Sequence, residues 1–131
     1  MANTRRFTQL TGVEVRVDSE NFEDLRPKAA VAANVGAGPD IIISTDCYEH
    51  VDWPREVTHE AFRVLKPGGI FYLTTVFDFE IHGYPDDYWR FTPNCIKQLL
   101  NDAGFEVIMT DGVGGQHSKR PCIVRGIGRK L

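Results

Sequence analysis

Two periods of apolar residues organise most of this chain. Ile41–Thr45 (IIIST) is a short continuous run of β-branched, mainly apolar residues, the pattern of a strand covered on both faces. Ile70–Val76 (IFYLTTV) has the same character. Between them Val57, Ala61, Val64 and Leu65 fall at i, i+4, i+7 and i+8, a single apolar stripe that predicts a helix. Asp52 is the expected cap and Pro54 lies in the first turn, where a missing N–H costs little. Arg63 and Lys66 sit in the last turn against the helix dipole, and Pro67-Gly68-Gly69 stops it. Thr92-Pro93 opens a second helix with Ile96, Leu99, Leu100 and Ala103 on one face and Gly104 at its end. Phe105–Asp111 and Cys122–Ile127 read as strands flanking the loop GVGGQHSKRP. Strand, helix, strand, helix, strand in this order predicts an α/β fold. Its sheet is mostly parallel, its crossovers right-handed, and helices cover both faces.

The first 40 residues follow no such order. Residues 1–12 are polar and read as loop, and Val13–Val17 (VEVRV) alternates like a half-buried strand. Asp18 to Lys28 is charged and interrupted by proline, and Ala29–Val35 is small, apolar and ambiguous. Gly36, Gly38 and Pro39 break the chain before the first clear strand. At 131 residues the sequence fits one domain, with residues 1–40 divergent and 41–131 regular.

Composition narrows the classes. A hydrophobic share of 42% supports a core, and 25% charged residues is ordinary for a globular protein. A net charge of −3 argues against general affinity for nucleic acid or acidic membranes. The apolar runs fall well short of the roughly 18 residues of a spanning helix, and MANTRRFTQLTG lacks the apolar core of a secretory signal. Cys47, Cys95 and Cys122 are too few and too scattered for a disulfide framework, so reduced thiols and a cytoplasmic setting are expected.

Three motifs add a family resemblance. Asp40-Ile-Ile-Ile-Ser-Thr-Asp-Cys-Tyr-Glu49-His50-Val51 resembles the fourth strand, and the "EHV" turn after it, of class I S-adenosylmethionine-dependent methyltransferases. Arg63-Val-Leu-Lys-Pro-Gly-Gly69 is similar to the segment leading into their fifth strand. Asp87-Tyr-Trp-Arg-Phe-Thr-Pro93, followed by Leu99-Leu100 and Ala103-Gly104-Phe105, resembles a block of one branch of that family. The resemblance implies a Rossmann-like sheet in which Ile41–Thr45, Ile70–Val76, Phe105–Asp111 and Cys122–Ile127 are strands four to seven, the last two forming an antiparallel hairpin. It also implies what is missing. The family holds the cofactor with a glycine turn after strand one and an acid at the end of strand two. The one glycine-rich candidate, Asn34-Val-Gly-Ala-Gly-Pro-Asp40, runs straight into IIIST rather than into a helix, so it reads as a shortened loop. The fold expected is therefore a truncated one, with strand four left as an apolar edge and a homodimer through that edge as the outcome.

The resemblance places S-adenosylmethionine beyond the strand ends, with Ser44, Thr45, Asp46 and His50 facing it and Glu14 or Asp18 as the ribose-holding acid. Read on their own, Glu14 and Asp18 are equally exposed charges at a strand end, Asp46 a solvated turn acid, and His50 a structural hydrogen-bonder. The loop Phe77–Phe91 is rich in aromatics and reads as a lid or a plug. Tyr84, Tyr88 and Arg90 are its candidate contacts to a small-molecule substrate through stacking and charge. Trp89 and Phe91 are expected to pack, and Arg90 has Asp86 and Asp87 as alternative partners. His50, His59 and His82 with Cys47 lack metal-ligand spacing, so no metal is expected. The five positive residues from Lys119 to Leu131 read as a solvated strand end or a phosphate contact. The activity implied is methyl transfer to a small molecule, weak or absent without the glycine turn. The alternative is a non-catalytic module that dimerises or docks a partner.

Overall fold

The computed structural model describes residues 2–15, 38–83, 86–115 and 119–131. In chain order these form α1 (Ala2–Thr11), β1 (Ile41–Thr45), a 3-10 turn (Tyr48–His50), α2 (Pro54–Val64), β2 (Ile70–Val76), α3 (Pro93–Ala103), β3 (Glu106–Val113) and β4 (Ile123–Arg129). The sheet order is β1-β2-β4-β3. β1 and β2 are parallel, whereas β4 runs antiparallel to both β2 and β3, so three of the four strands point the same way. The antiparallel hairpin is thus present, with its second strand inserted beside β2. Both hairpin strands extend two residues further than the apolar pattern predicts, because the ladder persists through Gly112, Val113, Gly128 and Arg129.

Alternation along β2 sends Phe71, Leu73 and Thr75 to one face, where they meet Ile96, Leu99, Leu100, Ala103, Phe105, Ala61 and Leu65. Opposite Leu73 lies Gly126, whose absent side chain makes room: a Cβ there would stand 2.5 Å from Ile96 Cγ2. α2 and α3 pack against each other over this face. The second face carries no helix among the described residues. It shows Ile41, Ile43, Tyr72 and Ile127 beside the ion pairs Arg125–Asp111 and Arg129–Glu106.

Several local expectations change. Residues 2–11 are helical rather than loop, since Arg5, Gln9 and Leu10 are good helix formers and Gly12, at φ 71°, ends the turn. Val13–Val15 lie in no strand, because alternation without a ladder partner makes none; Arg16 and Val17, like Asp18 and Ala29–Val35, are outside the described residues. The residue before α2 is Trp53, without a side-chain cap, while Asp52 turns to the Tyr88 hydroxyl. Thr92 does cap α3, its hydroxyl accepting from the Cys95 N–H at 3.2 Å, and Gly104 closes the helix at φ 99°. β1 is not covered on both faces: Ile41 and Ile43 are 58% and 67% exposed, and β2 is its one ladder partner among the described residues. The basic C-terminal residues are engaged within the chain. Arg120 pairs with Asp78, and Lys130 Nζ donates to the Arg63 and Leu65 carbonyls at the end of α2. Among the described residues no helix is long and apolar enough to cross a membrane.

Candidate functional site

The turn after β1 and the loop after β2 leave neighbouring parallel strands at the same end of the sheet, so they meet. Asp46 makes the reversal at φ 47°, its N–H donating to the Thr74 carbonyl at 3.0 Å and its carboxylate receiving the Thr74 hydroxyl at 3.5 Å. Ser44 is half-buried and touches Cys47, whose thiol burial pushes upward in pKa; Thr45 and Asp46 are exposed. The 3-10 turn then drives Tyr48 inward. Its ring packs on Phe71 and edge-on to Phe91, at 6.3 and 6.1 Å between centroids. Thr58 gives its own hydroxyl proton to the Pro54 carbonyl, so the Tyr48 hydroxyl is the donor in the 2.9 Å bond between them.

Glu49 follows, fully buried. Its Oε2 accepts from the Thr75 hydroxyl at 2.8 Å, and its Oε1 has no hydrogen-bond partner among the described residues. Its backbone carbonyl receives the Tyr88 N–H at 2.8 Å and the Trp89 N–H at 3.3 Å, which fastens the aromatic loop over the turn. The Trp89 indole donates to the Val51 carbonyl at 2.9 Å, and Phe91 N–H to Val76 at 3.0 Å. Phe91 is buried as expected, while Trp89 is held by its N–H and left half-exposed.

Arg90 is the buckle of that loop. Its guanidinium reaches both oxygens of Asp87 and the carbonyls of Phe79, Glu80 and Trp89, using all five donors. Arg90 first, then the His82 N–H, holds the Asp87 carboxyl well below the usual carboxylate range. Arg90 thus takes Asp87, one of its two expected alternative partners, and shapes the loop through the three carbonyls. The Tyr88 phenol is pushed up to about 12, chiefly by its bond to Asp52, then by partial burial and Asp86. Tyr84 lies outside the described residues, as does Asp18. Glu14 is exposed and lines a groove with Arg5, Thr8, Gln9 and Val15, a lining that includes none of the strand-end residues. His59 is exposed on α2.

The same buckle brings His82 onto His50. The two rings are perpendicular with centroids 4.8 Å apart, and their Nε2 atoms stand 3.1 Å from each other. Both Nε2 atoms are 3.9 Å from Glu49 Oε1. His50 Nδ1 lies 2.6 Å from the Asp86 carbonyl, and His82 Nδ1 is 3.1 Å from the Glu80 carbonyl and 3.3 Å from Asp87 Oδ2. Spacing along the chain conceals this cluster, since His82 is 32 residues from His50. The usable signal is an adjacent Glu-His after one strand and a His in the loop after its parallel neighbour.

Of the glycine-rich segment, the described residues include Gly38, Pro39 and Asp40. Gly38 is buried at the start of β1, the far end of the strand from this site, and a Cβ there would fall 1.9 Å from the Val64 carbonyl. That glycine lets the chain pass under the end of α2, with the Lys66 N–H bonded to the Pro39 carbonyl at 3.2 Å.

A sequence model of a family described as "Methyltransferase domain" matches residues 2–110. Among curated proteins none matches the sequence. Of solved structures, the (4+2)-cyclase SpnF aligns at a TM-score of 0.58 and 16% identity, over 84% of this chain and 64% of that one. The S-adenosylmethionine dependent methyltransferase from Mesorhizobium loti aligns at 0.55 and 14%, over 70% and 62%. The 1,6-didemethyltoxoflavin-N1-methyltransferase of Burkholderia thailandensis, with 1,6-didemethyltoxoflavin and S-adenosylhomocysteine bound, aligns at 0.55 and 20%, over 86% and 58%. This chain thus spans about three-fifths of the length of these structures, and the likeness is one of fold.

Proposed function

Because the chain belongs to the methyltransferase-domain family and has the class I S-adenosylmethionine-dependent methyltransferase fold, we propose that it serves methyl transfer to a small molecule, weakly when this chain stands alone. The observation that supports this most is the position of the Tyr48–His50 turn and the clamped loop at the shared C-terminal ends of β1 and β2. Methyl transfer from a sulfonium asks mainly for alignment and exclusion of water, and less for a catalytic base. The chain's contribution is a strand-end floor of Ser44, Thr45, Asp46 and His50 on the cofactor side, and a wall on the acceptor side formed by the clamped loop with Tyr88. The family's glycine turn has no clear counterpart in the sequence, where Asn34–Asp40 runs straight into β1, so cofactor affinity is expected to be weak.

Calorimetric titration with S-adenosylhomocysteine, at a known oligomeric state, tests this reading. Saturable binding, abolished or weakened several-fold in Asp46→Lys, is expected. No heat up to millimolar ligand would remove methyl transfer as the activity of this chain.

A second reading rests on the exposed Ile41 and Ile43 of β1, an apolar strand with one described partner. An open apolar edge pairs readily with a copy of itself under twofold symmetry. Under this reading the protein sediments as a homodimer, and Ile43→Lys, which puts a charge on the edge, shifts it to monomer. A wild-type monomer at high micromolar concentration would end the dimer reading.

A further inference from the structure

We propose that Glu49 Oε1, His50 Nε2 and His82 Nε2 form a binding site for one divalent transition-metal ion of the zinc or iron(II) class. The proposal goes beyond methyl transfer and does not depend on it.

The argument starts from proton placement. A carbonyl oxygen only accepts, so the 2.6 Å contact to the Asp86 carbonyl requires His50 Nδ1 to carry the hydrogen. His82 Nδ1 faces the Glu80 carbonyl and the Asp87 carboxylate, two acceptors, and must carry its hydrogen as well. In the neutral rings both Nε2 atoms are then bare lone pairs, and they point at each other across 3.1 Å. The third group at this spot is Glu49 Oε1, buried and without a hydrogen-bond partner among the described residues. Three acceptors converge on one point, with no donor from the described residues between them. Such a cluster is repulsive until a cation enters.

The geometry suits a metal. The three ligand atoms lie within 4.8 Å of one another. Metal–ligand bonds of about 2.0–2.2 Å set adjacent ligand atoms roughly 3.0–3.6 Å apart. The 3.1 Å N···N separation already fits, and the two 3.9 Å N···O separations close with a few tenths of an ångström of side-chain movement. Each ligand is also oriented from behind. Thr75 fixes Glu49 by its other oxygen, and the Asp86 and Glu80 carbonyls with Asp87 fix the outer nitrogens of the two rings. Two imidazoles and one carboxylate leave at least one coordination position for water or a polar substrate atom. The competing occupant is a proton shared between the two Nε2 atoms.

The test uses the full chain, stripped with a chelator and titrated with zinc alone by calorimetry, then with cobalt(II) followed by visible absorption. One zinc per chain with micromolar or tighter affinity is expected, with cobalt ligand-field bands free of thiolate charge transfer. His82→Ala, in an exposed loop, should weaken binding at least ~100-fold, as should His50→Ala. His59→Ala should leave it unchanged. Circular dichroism checks folding, and if His50→Ala does not fold, His82→Ala decides alone. Lack of saturation up to millimolar zinc would overturn the site in favour of the shared proton. Equal affinity in His82→Ala, or strong near-ultraviolet thiolate bands from Cys47, Cys95 or Cys122, would overturn it in favour of another location.

Discussion

Tyr48→Ala is expected to destabilise the fold by about 3–5 kcal/mol, the range for removing a large buried side chain. Against the ~5–15 kcal/mol that holds a typical domain together, this leaves the variant marginal. Tyr48 has no exposed surface, its ring spans Phe71 of β2 and Phe91 of the loop, and its hydroxyl donates to Thr58 of α2. It therefore joins strand, loop and helix at one point, directly beside Glu49 and His50. Tyr48→Phe keeps the ring and loses only the hydroxyl bond, at about 1 kcal/mol. Denaturant unfolding of the two variants separates ring from hydroxyl. A loss below about 1 kcal/mol in Tyr48→Ala would mean that the turn is not anchored through this ring.

Glu49→Gln should invert its effect with metal. In the chelator-stripped protein the substitution removes a buried carboxylate whose Oε1 has no partner among the described residues, and a gain of about 1–2 kcal/mol is expected. With saturating zinc the wild type gains further stability by mass action, ~2.7 kcal/mol at a hundredfold excess over Kd. The glutamine variant, a weaker ligand, gains less, so the ranking of the two midpoints reverses. Thermal unfolding with chelator and with zinc measures both halves. A clear loss of stability in stripped Glu49→Gln would show instead that the carboxylate balances a protonated histidine pair, since breaking such a pair is costly.

The parts that could be read from the sequence are those in which apolar residues keep a strict period. β1, α2, β2 and α3 stand where the IIIST, Val57–Leu65, IFYLTTV and Ile96–Ala103 patterns put them, with Gly104 ending α3. α1 was not legible because a short polar helix has no apolar stripe, and VEVRV misled because alternation says nothing about a ladder partner. The exposure of Ile41 and Ile43 was hidden in a run that looks doubly buried, because nothing in the run tells that no described helix covers the face they point to. The site was half legible. Its place at the strand ends followed from the fold, but nothing in the sequence marks Glu49 as buried, and its hydroxyl partner Thr75 lies 26 residues further on. The meeting of His50 and His82 depends on how Arg90 folds the intervening loop, and no rule of sequence spacing carries that information.

Trp89 has one more use. Its indole N–H is fixed to the Val51 carbonyl while its ring stays half-exposed, a few residues from His82 in the same clamped segment. Trp53, the chain's other tryptophan, is 68% exposed and reports mainly solvent. Intrinsic fluorescence is therefore already wired to the loop: any ligand or ion that tightens or lifts it alters the emission of one indole against a nearly constant background, so that the site can be watched without a dye.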